Sequence, residues 1–510
     1  MALYKLWSNL PKNKKNMENM VLALDPEALF IEEGKPFESM EALSLDQQRL
    51  RDVVEIEVRI EEIKGGVILV EGIWRQGDAT PVRISFSDRE IAEERYQPTD
   101  VELRRKELAR RMVLELFRKS TGKNAPWGIL TGVRPTKIYH YLRDAGFSPE
   151  EARRRLEAHY RLDSDKAVLL MEIGEGQRPY FLSEKRKIGL YVGIPFCPTR
   201  CDYCSFAAYP MESHGRLLPG FLEALRFEVQ ELGKACRDLG LEAEFIYIGG
   251  GTPTVLSPQE LEKLLKQLNQ HFSASGHREF TVEAGRPETL DPEKLLVMQR
   301  MKVNRVSVNP QTMNELTLKL IGRKHRVDQI YQAVSLVRRV GIPCLNMDLI
   351  MGLPGENPED WDYSLTCLKE FTPENITLHT LAPKRAATWD FSIMKTKMNE
   401  GVLGHWLSQA ALDLKDSGYR PYYLYRQRRI LANQENIGYC KPGTEGIYNI
   451  LMMEERRTIL GIGGGAVSKW IDPETLKVSR TSNPKCPSTY RGRIKELVEE
   501  KVRCLRGYVN

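Results

Sequence analysis

Long apolar runs are what this sequence most plainly lacks. No uninterrupted apolar stretch in its 510 residues approaches the roughly 20 needed to cross a bilayer, so no membrane segment is expected. The opening stretch, MALYKLWSNLPKNKKN, has no apolar core bounded by a small-residue cleavage site, and the expected location is cytoplasmic. Charge of one sign is also scarce. A net +6 is mild for this length; it does not by itself argue for nucleic acid, although it suits an anionic substrate. The basic run Val101–Lys119 interleaves its Arg and Lys with Glu102, Glu107 and Glu115, the pattern of a solvated helix face. Aromatic residues for base stacking are few there, so no nucleic-acid partner is expected. No low-complexity segment or internal repeat is present.

What is there is ordinary globular material, 41% hydrophobic and 28% charged. The length exceeds what one core usually holds, and three regions differ in texture. Residues 1–185 read as an α+β extension to which the sequence assigns no role. It holds a hairpin-like pair, Val53–Ile60 and Val67–Trp74, the basic helix, and a loop ending in Gly132-Val133-Arg134-Pro135. Residues 186–400 alternate β-rich runs (Ile188–Ile194, Phe245–Ile248, Phe280–Glu283, Arg305–Val308, Leu345–Ile350, Ile376–Leu381) with helical patterns, among them Leu217–Leu239, Pro258–Phe272, Pro292–Met301 and Val327–Val340. Such alternation implies a parallel sheet with right-handed crossovers. The expected fold is an α/β open, partial (β/α)6 barrel, with a doubly wound sheet as the alternative, since the pattern does not decide closure. Residues 401–510 read as a mostly helical C-terminal domain completing the substrate pocket. It contains the run Gly461-Ile462-Gly463-Gly464-Gly465 and ends in a charged helix, Tyr490–Cys504.

The nine cysteines should stay reduced in a cytosolic setting, so clustered ones are better metal ligands than disulfides. Cys197, Cys201 and Cys204 form a C-x3-C-x2-C loop directly after the first strand run. Thiolates are soft ligands suited to iron–sulfur clusters, and three ligands on a cubane leave one iron open. A zinc loop would favour paired C-x2-C units and a fourth ligand; neither a second pair nor a nearby histidine is present. The other six cysteines are scattered singly, as buried small hydrophobes usually are, with Cys440 in a more loop-like setting.

C-x3-C-x-aromatic-C after a strand resembles the signature of radical S-adenosylmethionine (SAM) enzymes. The resemblance implies a [4Fe-4S] cluster on Cys197, Cys201 and Cys204, whose open iron takes the amino and carboxylate groups of S-adenosyl-L-methionine. An electron then releases a 5′-deoxyadenosyl radical. It also implies that Tyr203 packs beside the adenine, and that Gly249, Gly250, Gly251 and Thr252 approach the methionine amine. Glu283 would accept the ribose hydroxyls. Later segments, Arg305–Gln311, Ile321–Arg323 and Asp348–Gly355, resemble the oxygen-independent coproporphyrinogen III oxidase family, which adds Gln311, Arg323, Asp348 and Ile350 to the cofactor set and Tyr191 as a candidate catalytic group. The similarity runs over about residues 186–470 and is strongest to the HemZ-like branch, which has an N-terminal extension ending in Gly-Val-Arg-Pro.

The chain departs from the family pattern at three places. Gly193 stands where the oxidase has histidine, Phe206 where it has a further cysteine, and Asn309-Pro310 before Gln311. Phe206 is similar to the haem-chaperone branch. The resemblance implies oxidative decarboxylation of coproporphyrinogen III to protoporphyrinogen IX, with an electron donor such as flavodoxin or ferredoxin. The alternatives are a haem-binding chaperone with a cluster, or a radical enzyme acting on haem or another substrate, for instance by methyl transfer. A propionate-edged macrocycle needs cations beside apolar walls. Lys384 and Arg385 after the sixth strand run, or Arg426, Arg428 and Arg429, are the candidates.

Overall fold

Six apolar runs become parallel strands: β1 (Lys187–Ile194), β2 (Glu242–Gly250), β3 (Glu279–Glu283), β4 (Arg305–Ser307), β5 (Cys344–Met351) and β6 (Asn375–Thr380). In this computed structural model the described residues are 2–25, 28–31, 53–63, 66–91, 101–181, 186–272, 278–382, 400–427 and 430–509. The six strands lie side by side in chain order. The crossovers carry the helices Leu218–Asp238, Pro258–Phe272, Pro292–Arg300, Val327–Val340 and Pro358–Glu370. Local chemistry fixes their ends. The Asp291 side chain accepts from Lys294 N, Asn357 and Asp360 form a capping box, and Gly341 ends its helix at φ 80°. This is the expected partial (β/α)6 barrel, and it stays open: β1 and β6 pair with further strands and not with each other.

Register decides which side chains face inward. Tyr191 aligns with Tyr247, Glu283 with Ser307, Ser307 with Asn346, and Ile350 with His379. Aligned residues share a face, so Tyr191, Tyr247, Glu283, Ser307, Asn346, Asp348 and His379 line the lumen. Val192, Ile246, Val282, Val306, Leu349 and Leu378 face the helices and are buried.

The last region carries the expected helices, Glu400–Asp416 and Ile494–Val509, and also five strands that extend the barrel sheet. β7 (Arg420–Tyr425) and β8 (Asn436–Cys440) add antiparallel beyond β6. β9 (Ile459–Gly463) runs parallel to β1, followed by β10 (Val467–Ile471) and β11 (Val478–Ser482). The Gly-rich run is thus a strand and its turn. A Cβ on Gly461 would lie 2.6 Å from the Val467 carbonyl carbon, so only glycine lets β10 fold back this closely.

A buried clip locks this edge. The Glu228 carboxylate accepts from Lys501 Nζ (2.5 Å), Tyr490 Oη (2.6 Å), Asn483 Nδ2 (3.0 Å) and Gly463 N (2.8 Å). Lys501 also donates to Gly461 O at 2.6 Å. A second device closes the N-terminal end of the lumen. Glu279 Oε2 accepts from the amides of Ile447 (2.5 Å) and Tyr448 (3.2 Å), the start of the helix Ile447–Glu454. Arg305 Nη2 and Asn375 Nδ2 both donate to Thr444 O, at 2.9 and 2.8 Å.

Contacts divide the chain into two units, Met1–Gly174 with Arg426–Gln434, and Glu175–Tyr425 with Glu435–Asn510. The first has a five-stranded sheet containing the expected hairpin, Val53–Ile63 against Val67–Gln76, with the helix Val101–Thr121 packed on it. Arg426 belongs to this unit and is buried. Its guanidinium donates to Leu130 O, Gln434 O and Asn433 O and lies 5.1 Å from the Trp127 ring centre. The expectation that it could grip propionates is therefore corrected: every nitrogen of this cation is spent on nearby carbonyls. Arg428 and Arg429 lie outside the described residues, as do Lys384 and Arg385.

Candidate active site

The cysteine loop leaves β1 at the C-terminal end of the sheet, the end where parallel α/β folds place ligands. Four contacts fix its path. Thr252 N donates to Phe196 O (2.7 Å) and Gly251 N to Ile194 O (2.8 Å), so the glycine turn after β2 lies against the loop. Arg286, beyond β3, donates Nη2 to Thr199 O (2.9 Å) and to Thr199 Oγ1 (3.0 Å). Asp202 N donates to Ile321 O at 3.3 Å. A Cβ on Gly322 would stand 2.8 Å from Asp202 Oδ2, so the Ile321-Gly322-Arg323 segment approaches the loop only because it carries glycine there.

Cys197 and Cys201 are buried and Cys204 half-buried. Thr252 Oγ1 donates to Cys197 Sγ at 3.4 Å. Burial pushes the Cys197 thiol up to about 11; the Thr252 hydrogen bond and the Arg286 cation oppose this, while the neighbouring Cys204 and Cys201 add to it. The three thiols thus act on one another. Among the described residues no three or more His, Cys, Asp or Glu side chains are drawn together as they would be for a single ion. Soft donors spread around one loop fit a multi-iron cluster better than zinc. Tyr203, half-buried between the last two cysteines, feels Cys201, Arg323 and Cys204.

The glycine turn is shaped around Glu283. A Cβ on Gly249 would sit 2.7 Å from the Glu283 carboxyl carbon, and Gly250 adopts φ 104°, a conformation glycine takes without strain. Tyr247 Oη donates to Glu283 Oε1 at 2.5 Å. Burial raises the Glu283 carboxyl to about 7, against the Tyr247 hydrogen bond; Asp348 raises it further, and the Gly250 N–H lowers it. Two acids therefore share the upper lumen. Asp348 Oδ1 accepts from Asn346 Nδ2 at 2.9 Å, and its Oδ2 lies 3.7 Å from His379 Nε2. His379 Nδ1 meets Tyr425 Oη at 3.2 Å.

Beyond β4, Gln311 holds the left-handed conformation at φ 69°, uncommon for a residue with a side chain. Its N–H donates to Asp348 O and its carbonyl accepts from Ile350 N, which ties both segments to the same strand end. Ser307 Oγ, Asn309 Oδ1 and Gln311 Oε1 are buried with no hydrogen-bond partner among the described residues. Orphaned polar atoms gathered at a strand end are what an absent polar ligand would leave. Arg323 donates to Asn309 O, Pro310 O and Gly285 O (2.5, 3.2 and 2.5 Å), so this buried cation braces the loops after β3 and β4.

The structure brings the three cysteines, Tyr203, Gly249–Thr252, Glu283, Gln311, Arg323, Asp348 and Ile350 to one end of the sheet. Tyr191 is level with Tyr247, its hydroxyl 3.5 Å from where a Cβ on Gly250 would stand, and its ring lies beside those of Tyr247 and Tyr448 with centres 6.2 and 5.9 Å away. Cys440 pairs with Asn375, at the opposite end of β6, and belongs to the packing around Tyr422, Tyr423 and Ile450. Sequence reading missed Arg286, Tyr247 and Tyr448. The only signal for Arg286 was its place just past a strand end.

A model described as the radical SAM superfamily matches residues 191–368. The chain is 41% identical over 397 residues to a Bacillus subtilis (strain 168) protein named oxygen-independent coproporphyrinogen-III oxidase-like protein HemZ, covering 77% of this chain and 79% of that one. It is 31% identical over 289 residues to a Lactococcus lactis subsp. lactis (strain IL1403) protein named heme chaperone HemW, covering 54% and 68%. Among solved structures, coproporphyrinogen III oxidase (HemN) from Escherichia coli, described as a radical SAM enzyme, superposes with a TM-score of 0.50 at 21% identity, over 63% of this chain and 72% of that one. With the cysteine loop, the glycine turn and the six-stranded parallel sheet in register with these findings, the chain belongs to the radical SAM superfamily, in the HemZ-like branch of the oxygen-independent coproporphyrinogen-III oxidase family.

Proposed function

We propose that this chain carries out the oxygen-independent oxidative decarboxylation of coproporphyrinogen III, converting two propionate side chains to vinyl groups. The observation that carries the radical chemistry is the convergence of Cys197, Cys201, Cys204, Thr252 and Glu283 at one end of the barrel. The choice of substrate rests on the 41% identity to the coproporphyrinogen-III oxidase-like relative.

In this reading Cys197, Cys201 and Cys204 hold a [4Fe-4S] cluster and the glycine turn, Glu283, Gln311 and Asp348 hold S-adenosyl-L-methionine. Together these groups supply, on receipt of one electron, a carbon radical able to abstract hydrogen from an unactivated position. The protein's own part is placement. Arg286 and Thr252 fix the loop, and Glu283 would accept hydroxyl donors. Lys384 and Arg385 would meet substrate propionates, and the last region would complete the pocket. An electron donor such as flavodoxin or ferredoxin would supply the electrons.

A haem-binding chaperone is the second reading. Phe206, 67% exposed two residues after the last loop cysteine, and the HemW relative favour it. One anaerobic experiment separates the two. Reconstituted protein, SAM, a reductant and coproporphyrinogen III are incubated and the products read by mass spectrometry. Successive losses corresponding to two carboxyl groups are expected. Intact porphyrinogen alongside stoichiometric haem binding would overturn the enzymatic reading.

A further inference from the structure

The lumen below the nucleotide end holds a feature that neither the cysteine loop nor the glycine turn requires. Three tyrosines from distant parts of the chain stack in parallel: Tyr191 on β1, Tyr247 on β2 and Tyr448 at the start of the helix Ile447–Glu454. Tyr247 and Tyr448 are in closest contact, ring centres 4.0 Å apart at 21°. All three are partly accessible, whereas the residues alternating with them on β1 and β2 (Leu190, Val192, Ile246, Ile248) are fully buried. The rings therefore lie on the lumen face of the sheet, where Tyr191 and Tyr448 also pack against the buried cluster Phe245, Ile447, Leu451 and Ile459.

Their placement is over-determined. The backbone that carries Tyr448 is fixed by Glu279, which accepts from the amides of Ile447 and Tyr448. Tyr247 packs against both Tyr448 and Tyr191, and its hydroxyl donates to Glu283 Oε1 at 2.5 Å. On the other side a Cβ on Gly249 would stand 2.7 Å from the same carboxyl, so glycine is what leaves room for it.

We propose that Tyr247 is the positioning residue of the nucleotide site: it holds one oxygen of Glu283 so that the other faces the vicinal hydroxyls of a ribose, with Tyr448 as the floor that keeps Tyr247 upright. This rests on Glu283 being a ligand of the nucleotide. A single carboxylate can accept about four hydrogen bonds, so the tyrosine does not compete with the diol; it removes the carboxyl rotamers that would face away. The titratable groups facing Glu283 are Tyr247, Tyr191, Tyr448 and Asp348. Of these Tyr247 alone donates a hydrogen bond to it, which favours the ionised form.

The test uses the cluster-reconstituted full chain and anaerobic equilibrium binding of SAM between pH 5.5 and 8.5, with circular dichroism and iron content as fold controls. Tyr247→Phe keeps the stack and removes only the hydroxyl. It should weaken binding about tenfold and move the pH midpoint of affinity upward by about one unit, since the ionised carboxylate loses a donor. Tyr448→Phe should behave as wild type, while Tyr448→Leu should shift part of the way. Wild-type affinity and midpoint in Tyr247→Phe, with Glu283→Gln impaired, would overturn the positioning role alone. If Glu283→Gln also binds SAM as wild type does, the assignment of Glu283 falls, and the positioning role falls with it.

Discussion

Thr252 donates its hydroxyl to the sulfur of Cys197 across 3.4 Å, joining the glycine turn after β2 to the cysteine loop after β1. One side chain thereby ties a loop thiol to the turn beside it. With Arg286 holding Thr199 from the far side, the loop is braced between two strands other than its own.

Substitution of Cys197, Cys201 or Cys204 by Ala should each abolish [4Fe-4S] absorbance and iron binding after anaerobic reconstitution. Cys236, Cys344 and Cys440 are buried elsewhere with thiols pushed up to about 12 by burial, and their Ala or Ser variants should keep the cluster. Full iron content in all three loop variants would contradict the site.

Arg286→Met should slow cluster assembly while leaving the fold intact. The substitution frees Thr199 and withdraws a cation that helps Cys197 ionise. Metal binding needs the thiolate, so the reconstitution rate of the variant should recover as pH is raised from 7 to 9. A rate equal to wild type at every pH would show the contact to be incidental.

Glu283 makes a prediction with opposite signs for stability and binding. Its carboxyl is raised to about 7 in the fold, above the ordinary value near 4.3. The stability contributed by the neutral, buried acid is complete below pH 4 and is lost as pH rises through 7. Glu283→Gln should therefore stabilise the cluster-free protein at pH 8 by about 1–3 kcal/mol while weakening SAM binding. Denaturant titration and equilibrium binding measure the two. Asp348→Ala should weaken SAM binding by about 1.5–3 kcal/mol with the cluster retained.

The clip at the barrel edge can be broken from one side. Lys501→Met leaves the buried Glu228 carboxylate without its cation, at a cost of about 3–5 kcal/mol. Replacing both, Glu228→Leu with Lys501→Met, should cost less than the sum of the two single changes. Urea unfolding of the three variants gives the comparison.

Lys384→Ala/Arg385→Ala tests the substrate assignment. Cluster content and uncoupled SAM cleavage should persist while decarboxylation of coproporphyrinogen is lost, if these two cations are the ones that would meet the propionates as proposed above. Decarboxylation at the wild-type rate would remove both residues from the pocket.

The barrel was legible because short β-rich runs alternate with longer helical patterns along residues 186–400, the order that a parallel sheet with helical crossovers requires. Every one of the six expected strands is present, and the helix Pro258–Phe272 matches its expected bounds. The helix Pro358–Glu370 escaped although its capping box stands in the sequence as Asn357 and Asp360. β7 to β11 were hidden for another reason. Short strands such as Ile459–Gly463 owe their state to the neighbour they pair with, and a Gly-rich run carries no strand signal of its own. Motif spacing found the residues of the candidate site that sit in one contiguous loop or at a strand end. It could not find Tyr247 with Tyr448, whose meeting depends on how the last region closes the lumen.

The place of β1 in the sheet also bears on how late its surroundings are completed. β1 has β2 on one side and β9 on the other, and β9 is pinned by Lys501 near the chain end. A nascent chain emerges N-terminus first, so the strand that launches the cysteine loop lacks one neighbour until Gly463 has been made. Its lock is absent until Lys501 follows. The strand from which the cysteine loop departs therefore gains its full set of neighbours only from residues more than 250 positions further along the chain.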